Sequence, residues 1–197
     1  TRADLMQFVG GIANKSIVQT HLFYLNLMDD IYSTYRAVQP GETPFPFTDV
    51  PESRWSYPYI KELYDAGVVS GMTATTFAPA ENMTRAQFVT MLAGLQGADV
   101  SAYKTGKFTD VPADAWYAPY VSWAAENGIV HGVSDTAFAP DADISRQDMA
   151  VMVYRYAERF GIRLGTDVPP ITFTDAGDIA AYALPAVQAL QRAGVIS

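Results

Sequence analysis

A unit of 61 residues recurs along this chain, and no other feature constrains its fold as tightly. Phe47-Thr-Asp-Val-Pro51 returns as Phe108-Thr-Asp-Val-Pro112, and Ala66-Gly-Val-Val-Ser-Gly71 as Asn127-Gly-Ile-Val-His-Gly132. Thr76-Phe-Ala-Pro79 returns as Ala137-Phe-Ala-Pro140, and Met83-Thr-Arg-Ala-Gln-Phe88 as Ile144-Ser-Arg-Gln-Asp-Met149. Asp49 and Asp110, Gly67 and Gly128, and Arg85 and Arg146 are each 61 positions apart. Two partial copies flank these units. Phe173-Thr-Asp-Ala176 and Ala193-Gly-Val-Ile-Ser197 repeat the opening element, 65 residues beyond the second copy and with one extra residue before the glycine; Thr1-Arg-Ala-Asp-Leu5 repeats the closing element. Units of this length are single supersecondary elements that bury their apolar faces against neighbouring units.

Each unit reads as a short helix, a turn-rich loop and a longer helix. Pro58 stands near the first helix start, where a missing N–H is harmless, Ile60, Leu63 and Tyr64 form its apolar face, and Gly67 stands where a left-handed C-terminal glycine is expected. Pro119, Val121, Ala124 and Gly128 repeat the pattern, as do Pro185, Val187, Leu190 and Gly194. The next segment, with its second glycine and Ala-Pro turn, predicts a tight loop with at most two or three residues of strand. Thr84 and Gln87 have the spacing of a capping box, and Ser145 with Asp148 and Thr1 with Asp4 have that of related caps. Phe88, Met91, Leu92 and Leu95, and then Met149, Met152, Val153 and Tyr156, give the longer helices an apolar face. The predicted fold is mostly α, built of helix-loop-helix repeats with very short strands.

The expected organisation is a closing half-repeat at 1–13, an inserted amphipathic helix and Pro-rich linker at 14–46, complete repeats at 47–107 and 108–172, and an opening half-repeat at 173–197. Val18, Leu22, Leu25, Met28 and Tyr32 lie at helical spacing, so a helix over about 17–35 is expected to dock along its apolar face or to mediate self-association. The two terminal halves are expected to pair as one permuted module, with the helix from Thr1 against Ala186, Val187, Leu190 and Val195, or to be swapped between chains.

Composition narrows the function classes. A net charge of −8 over 197 residues disfavours long-range attraction to nucleic acid or an anionic membrane, so an anionic partner requires a locally basic pocket. Zero cysteines exclude disulfides, a zinc-thiolate site and a thiol nucleophile; two isolated histidines, His21 and His131, are too few for a histidine metal cluster and read as structural residues. No apolar run approaches the length of a membrane span. The sequence presents no nucleophile, metal cluster or tuned acid-base pair, so no enzyme activity, metal or cofactor is expected, a chance glycosidase pair being the weaker alternative.

These linked motifs closely resemble the S-layer homology, or SLH, family. Its features are an aromatic-x-Asp-Val opening, a following Trp, a mid-repeat Ala-Gly-Ile/Val…Gly, a Phe-x-Pro turn and an Ile-Thr-Arg-Ala-Glu-like helix start. They stand here as Phe47-Thr-Asp-Val50 with Trp55 and Phe108-Thr-Asp-Val111 with Trp116, together with Phe77-Ala-Pro79, Phe138-Ala-Pro140 and the arginine-bearing helix starts. The resemblance implies a pseudo-threefold helical assembly on the outside of the cell. It also implies non-covalent anchoring of a surface protein to the wall or S-layer through secondary cell-wall polysaccharide, often carrying pyruvylated N-acetylmannosamine.

The ligand-binding candidates are Arg2, Arg85, Arg146, Trp55, Trp116, Gly71, Gly132, Asp49 and Asp110. Arg2, Arg85 and Arg146 each hold the first helical position after the cap, where a cation opposes the helix dipole; a ligand carboxylate paired with the guanidinium and the free helix-start N–H groups would explain them. The bland alternative is an ion pair with an aspartate such as Asp49 or Asp110. Trp55 and Trp116 serve either as sugar platforms or, more commonly for large aromatics, as core residues. Asp49 and Asp110 suit turn caps, and Gly71 and Gly132 suit backbone geometry or close approach of a sugar. The third unit has Asp178-Ile-Ala-Ala-Tyr182 where a Trp is expected, which points to a degenerate pocket there. The rival function is a structural or protein-interaction scaffold that binds no glycan.

Overall fold

A computed structural model describes residues 1–3, 6, 45–103, 106–166 and 168–196. The helix expected over 17–35 and the Asp4 cap lie outside the described residues. The chain divides into two compact units, Arg2–Ala80 and Glu81–Ser197, the latter with Thr1. The fold is mostly α. Among the described residues no strand forms, and the β pairing is one isolated bridge between Thr84 and Asp143.

In the first unit, α1 spans Tyr57–Asp65 with a proline in its first turn and buries Ile60 and Leu63. Gly67, at φ 69, ends it in the left-handed region that costs glycine no steric penalty. The loop then folds back on the opening element. The Thr48 N–H donates to the Thr75 carbonyl at 2.9 Å, and the Asp49 carboxylate accepts from the N–H groups of Phe77 (2.9 Å) and Ala78 (2.7 Å). Ala78 has φ 58, which costs an L-residue roughly 1–2 kcal/mol; two charge-assisted bonds to Asp49 offset that strain. Phe77 is fully buried, 5.5 Å from the Phe47 ring. Arg2, Ala3 and Met6 are helical and buried, and the Ala3 N–H donates to the Pro79 carbonyl.

In the second unit, α2 spans Arg85–Gln96, α3 Ala118–Glu126, α4 Arg146–Arg159 and α5 Leu184–Arg192, with a short 3-10 turn at Ala176–Asp178. The expected capping box holds α2: the Thr84 hydroxyl accepts from the Gln87 N–H at 3.2 Å, and the Gln87 amide oxygen accepts from the Thr84 N–H at 3.1 Å. Ser145 caps α4 by accepting from the Asp148 N–H. Helix α2 packs on α3, and α4 packs on α5. The closing helix of one sequence repeat therefore covers the opening helix of the next, so packing pairs are offset from the sequence units. Phe88, Leu92, Val121, Ile129, Val153 and Leu190 fill the interior. The Tyr156 hydroxyl donates to Gln96 at 3.0 Å; burial pushes its pKa up to about 12, so the phenol keeps its proton and ties α4 to α2.

Candidate functional site

The second unit builds its site on the loop between α3 and α4. The Thr109 N–H donates to the Thr136 carbonyl, and the Asp110 carboxylate accepts from the N–H groups of Phe138 (2.9 Å) and Ala139 (2.7 Å), with Ala139 at φ 57. Burial works against the Asp110 charge. The Phe138 and Ala139 N–H bonds, with Asp110's own N–H and the field of Arg85, outweigh it, and the pKa falls below its ordinary value. Gly132 combines φ 92 with a crowded position. An added Cβ would lie 2.5 Å from the Ala137 and Ser134 carbonyls and 2.6 Å from the Phe108 ring. Asp110 and Gly132 shape the loop, as do Asp49 and Gly71 in the first unit, where a Cβ on Gly71 would meet the Phe47 ring and the Thr73 carbonyl at 2.4 Å.

Arg85 lies on this loop. It is only 5% exposed, with its guanidinium 5.0 Å from the Phe138 ring centroid, Nε donating to the Phe138 carbonyl at 2.9 Å and Nη1 to Asp148 at 3.3 Å. Its ion-pair partner is thus Asp148 rather than Asp49 or Asp110. Desolvation lowers its pKa, and Asp148 acts in the opposite direction. The helix-start donors expected to reinforce an anion site are already engaged. Arg85 N–H donates to Ala142, Ala86 N–H to Pro140 and Gln87 N–H to the Thr84 hydroxyl, so the start of α2 is stitched to the loop. Arg2 repeats the stacking, 4.9 Å from the Phe77 centroid, and its Nη1 contacts the Met72 sulfur at 2.9 Å. Arg146, by contrast, is exposed.

Around Arg85 opens a cleft of about 400 Å³, lined by His131, Gly132 and Val133 from the loop, by Asp148, Val151, Met152 and Arg155 along one face of α4, and by Tyr182. Positions 148, 151, 152 and 155 follow the i, i+3, i+4, i+7 rule for a common helix face. Tyr182 donates its hydroxyl to Asp148 at 2.7 Å, so Asp148 bridges Tyr182 and Arg85. Burial, then that bond and the Asp148 charge, raise the Tyr182 pKa. Desolvation, and to a lesser degree its neighbour Glu158 in the opposite sense, act on Arg155, whose guanidinium makes no hydrogen bond or ion pair among the described residues. Desolvation, then Arg155 and Lys107, depress the His131 pKa. The net character of the cleft is cationic.

Of the candidates named from sequence, Arg85 and Gly132 line this cleft. Trp55 and Trp116 are 50% and 59% exposed, so the expectation of core tryptophans is corrected: both precede their helices in turns, away from the buried faces. Tyr182 occupies the equivalent position, three residues before Pro185 as Trp55 precedes Pro58 and Trp116 precedes Pro119. The one-residue lengthening of the third copy hides that equivalence. His131, Arg155, Asp148 and Tyr182 were not among the candidates; the spacing of Asp148 and Arg155 on α4 was the available signal.

The S-layer homology domain model matches residues 46–89, 107–150 and 172–197, more than half of the chain. The chain belongs to the S-layer homology domain family. An endoglucanase of Bacillus sp. (strain KSM-635) is 39% identical over 144 residues, covering 73% of this chain and 15% of that protein. A cellulosome-anchoring protein of Acetivibrio thermocellus is 32% identical over 130 residues, covering 64% of this chain and 28% of its own length. The surface-layer 125 kDa protein of Lysinibacillus sphaericus is 36% identical over 91 residues, covering 46% and 8%. The matched stretch is a minor part of each relative, between 8% and 28% of its length.

Proposed function

We propose that this SLH chain holds a surface protein non-covalently on the bacterial cell wall by binding secondary cell-wall polysaccharide, with the α4 cleft taking an anionic, pyruvylated sugar. The observation that carries this reading is local charge: a chain with net charge −8 presents Arg85, Arg155 and His131 around one cleft against one carboxylate among the described residues, Asp148, which is already engaged. The Arg155 guanidinium, without a partner among the described residues, matches a ligand carboxylate in charge and in bidentate geometry. Arg155 is therefore the primary anion contact, and Arg85 holds the cleft floor. Tyr182, with Val133 beside the cleft, offers aromatic and apolar surface to a pyranose ring, and exposed Trp55 and Trp116 are suited to the same role elsewhere on the chain.

The spread of relatives supports the same reading. Proteins named as an endoglucanase, a cellulosome-anchoring protein and a surface-layer protein share this stretch, as expected of a common attachment module rather than of a shared catalytic domain. The reading places the chain outside the cell, at the wall. Pull-down on purified wall sacculi, with and without the non-peptidoglycan polymer, tests it: retention only when polymer is present is the expected result. Equal failure on both preparations would replace anchoring with a scaffold role.

A further inference from the structure

His131 lines the cleft beside Gly132, at the position where the preceding repeat has Ser70. The groups facing it are Arg85 from α2, Asp148 and Arg155 from α4, Tyr182 from the segment ahead of α5, and Lys107 from the segment ahead of Phe108. Asp148 is the one carboxylate lining the cleft among the described residues, and it already accepts from Tyr182 and pairs with Arg85. We propose that His131 is a ligand-holding residue that couples anion binding in this cleft to uptake of a proton, so that the cleft selects an acidic glycan more strongly as its surroundings acidify. This rests on the glycan-anchoring reading above.

The electrostatics follow from which charges are committed. Without a ligand carboxylate beside it, the imidazole is desolvated and sits near Arg155 and Lys107, and among the described residues the one carboxylate of the cleft, Asp148, is already engaged, so the imidazole pKa lies below the ordinary 6.5. An entering carboxylate reverses the local field. The imidazolium then gains an attractive partner and can donate both ring N–H groups to it. A group whose pKa rises on binding draws the ligand in more tightly as pH falls. The gain begins at the bound-state pKa and is complete below the free-state pKa. A carboxylate ordinarily titrates at about 4 and an imidazole at about 6.5, so the ligand keeps its charge while the imidazole takes up its proton. A one-unit rise on binding gives up to about tenfold tighter binding across it. A neutral sugar leaves the field unreversed and gains nothing.

Calorimetric titration of the full chain between pH 5 and 8 tests the coupling, using the methyl glycosides of pyruvylated and unmodified N-acetylmannosamine as probes. Running each pH in two buffers of different ionisation enthalpy counts protons. Wild type is expected to bind the pyruvylated probe with net proton uptake and to tighten by about five- to tenfold from pH 8 to 5. His131→Ser, which imports the residue of the preceding repeat, is expected to flatten both the pH slope and the proton uptake while keeping the fold, checked by thermal unfolding. Binding by wild type and His131→Ser with the same pH slope and proton count would overturn the inference and leave glycan binding standing. No binding of the pyruvylated probe at any pH, with no retention on polymer-bearing sacculi, would overturn both.

Discussion

The first and second repeats share a scaffold and differ in the chemistry they carry. Asp49 and Asp110 accept the same pair of loop N–H groups, Ala78 and Ala139 adopt the same left-handed conformation, and Arg2 and Arg85 stack on equivalent phenylalanines. Yet His131, Asp148 and Arg155 of the second repeat have Ser70, Gln87 and Gly94 at the corresponding positions 61 residues earlier. What repeats is what the loop needs in order to fold, Arg85 and Gly132 of the cleft lining included; what changes between copies is the rest of the polar lining, His131, Asp148 and Arg155. An arginine at a helix start, puzzling as a choice against the dipole, is explained by its seat: the ring, the Phe138 carbonyl and Asp148 together offset the unfavourable position.

The largest expected effect comes from attacking the shared scaffold. Gly132→Ala places a Cβ against two carbonyl oxygens at a positive φ and is expected to cost about 3 kcal/mol or more, measured by denaturant unfolding. Arg85→Ala removes a buried charge-assisted bond, an ion pair and a cation-aromatic contact, and is expected to cost about 2–3 kcal/mol. Arg146→Ala, at the equivalent but exposed position, is expected to stay within about 0.5 kcal/mol. Equal losses from the two arginines would break the distinction between a seated and an open helix start.

The Asp110 carboxylate sharpens the comparison through pH. Its folded pKa is depressed, so the stability it contributes is present above the unfolded value of 3.8 and is lost as pH falls from there through the folded pKa. Asp110→Asn should therefore lower stability at neutral pH and remove part of the acid-induced loss below about pH 4. Thermal unfolding of both proteins between pH 2.5 and 7 checks the sign.

The scaffold was largely legible in the sequence because its determinants are local. Pro58, Pro119 and Pro185 mark helix starts, Gly67, Gly128 and Gly194 mark helix ends, and the Thr84–Gln87 box is contained in four residues. The cleft was much less legible. Searching for repeated residues selects the ones that every copy needs: Asp49, Asp110, Gly71 and Gly132 all shape loops, and of these four Gly132 also lines the cleft. The cleft draws instead on Arg85, the 130–133 loop, one face of α4 and Tyr182, segments nearly 100 residues apart that only packing of α2 on α3 and α4 on α5 brings together. Tyr182 was obscured by a single inserted residue, and His131 looked like an ordinary isolated histidine.

The central claim, that repeated residues build the fold while the unrepeated ones bind, is tested most directly by the double variant His131→Ser, Arg155→Ala. Both side chains border the cleft, and among the described residues neither holds a helix cap or a buried bond. Affinity for purified wall polymer should fall by about tenfold or more, while thermal unfolding shifts by no more than about 2–4 °C. Unchanged affinity, or a collapse in stability that accounts for the lost binding, would contradict it.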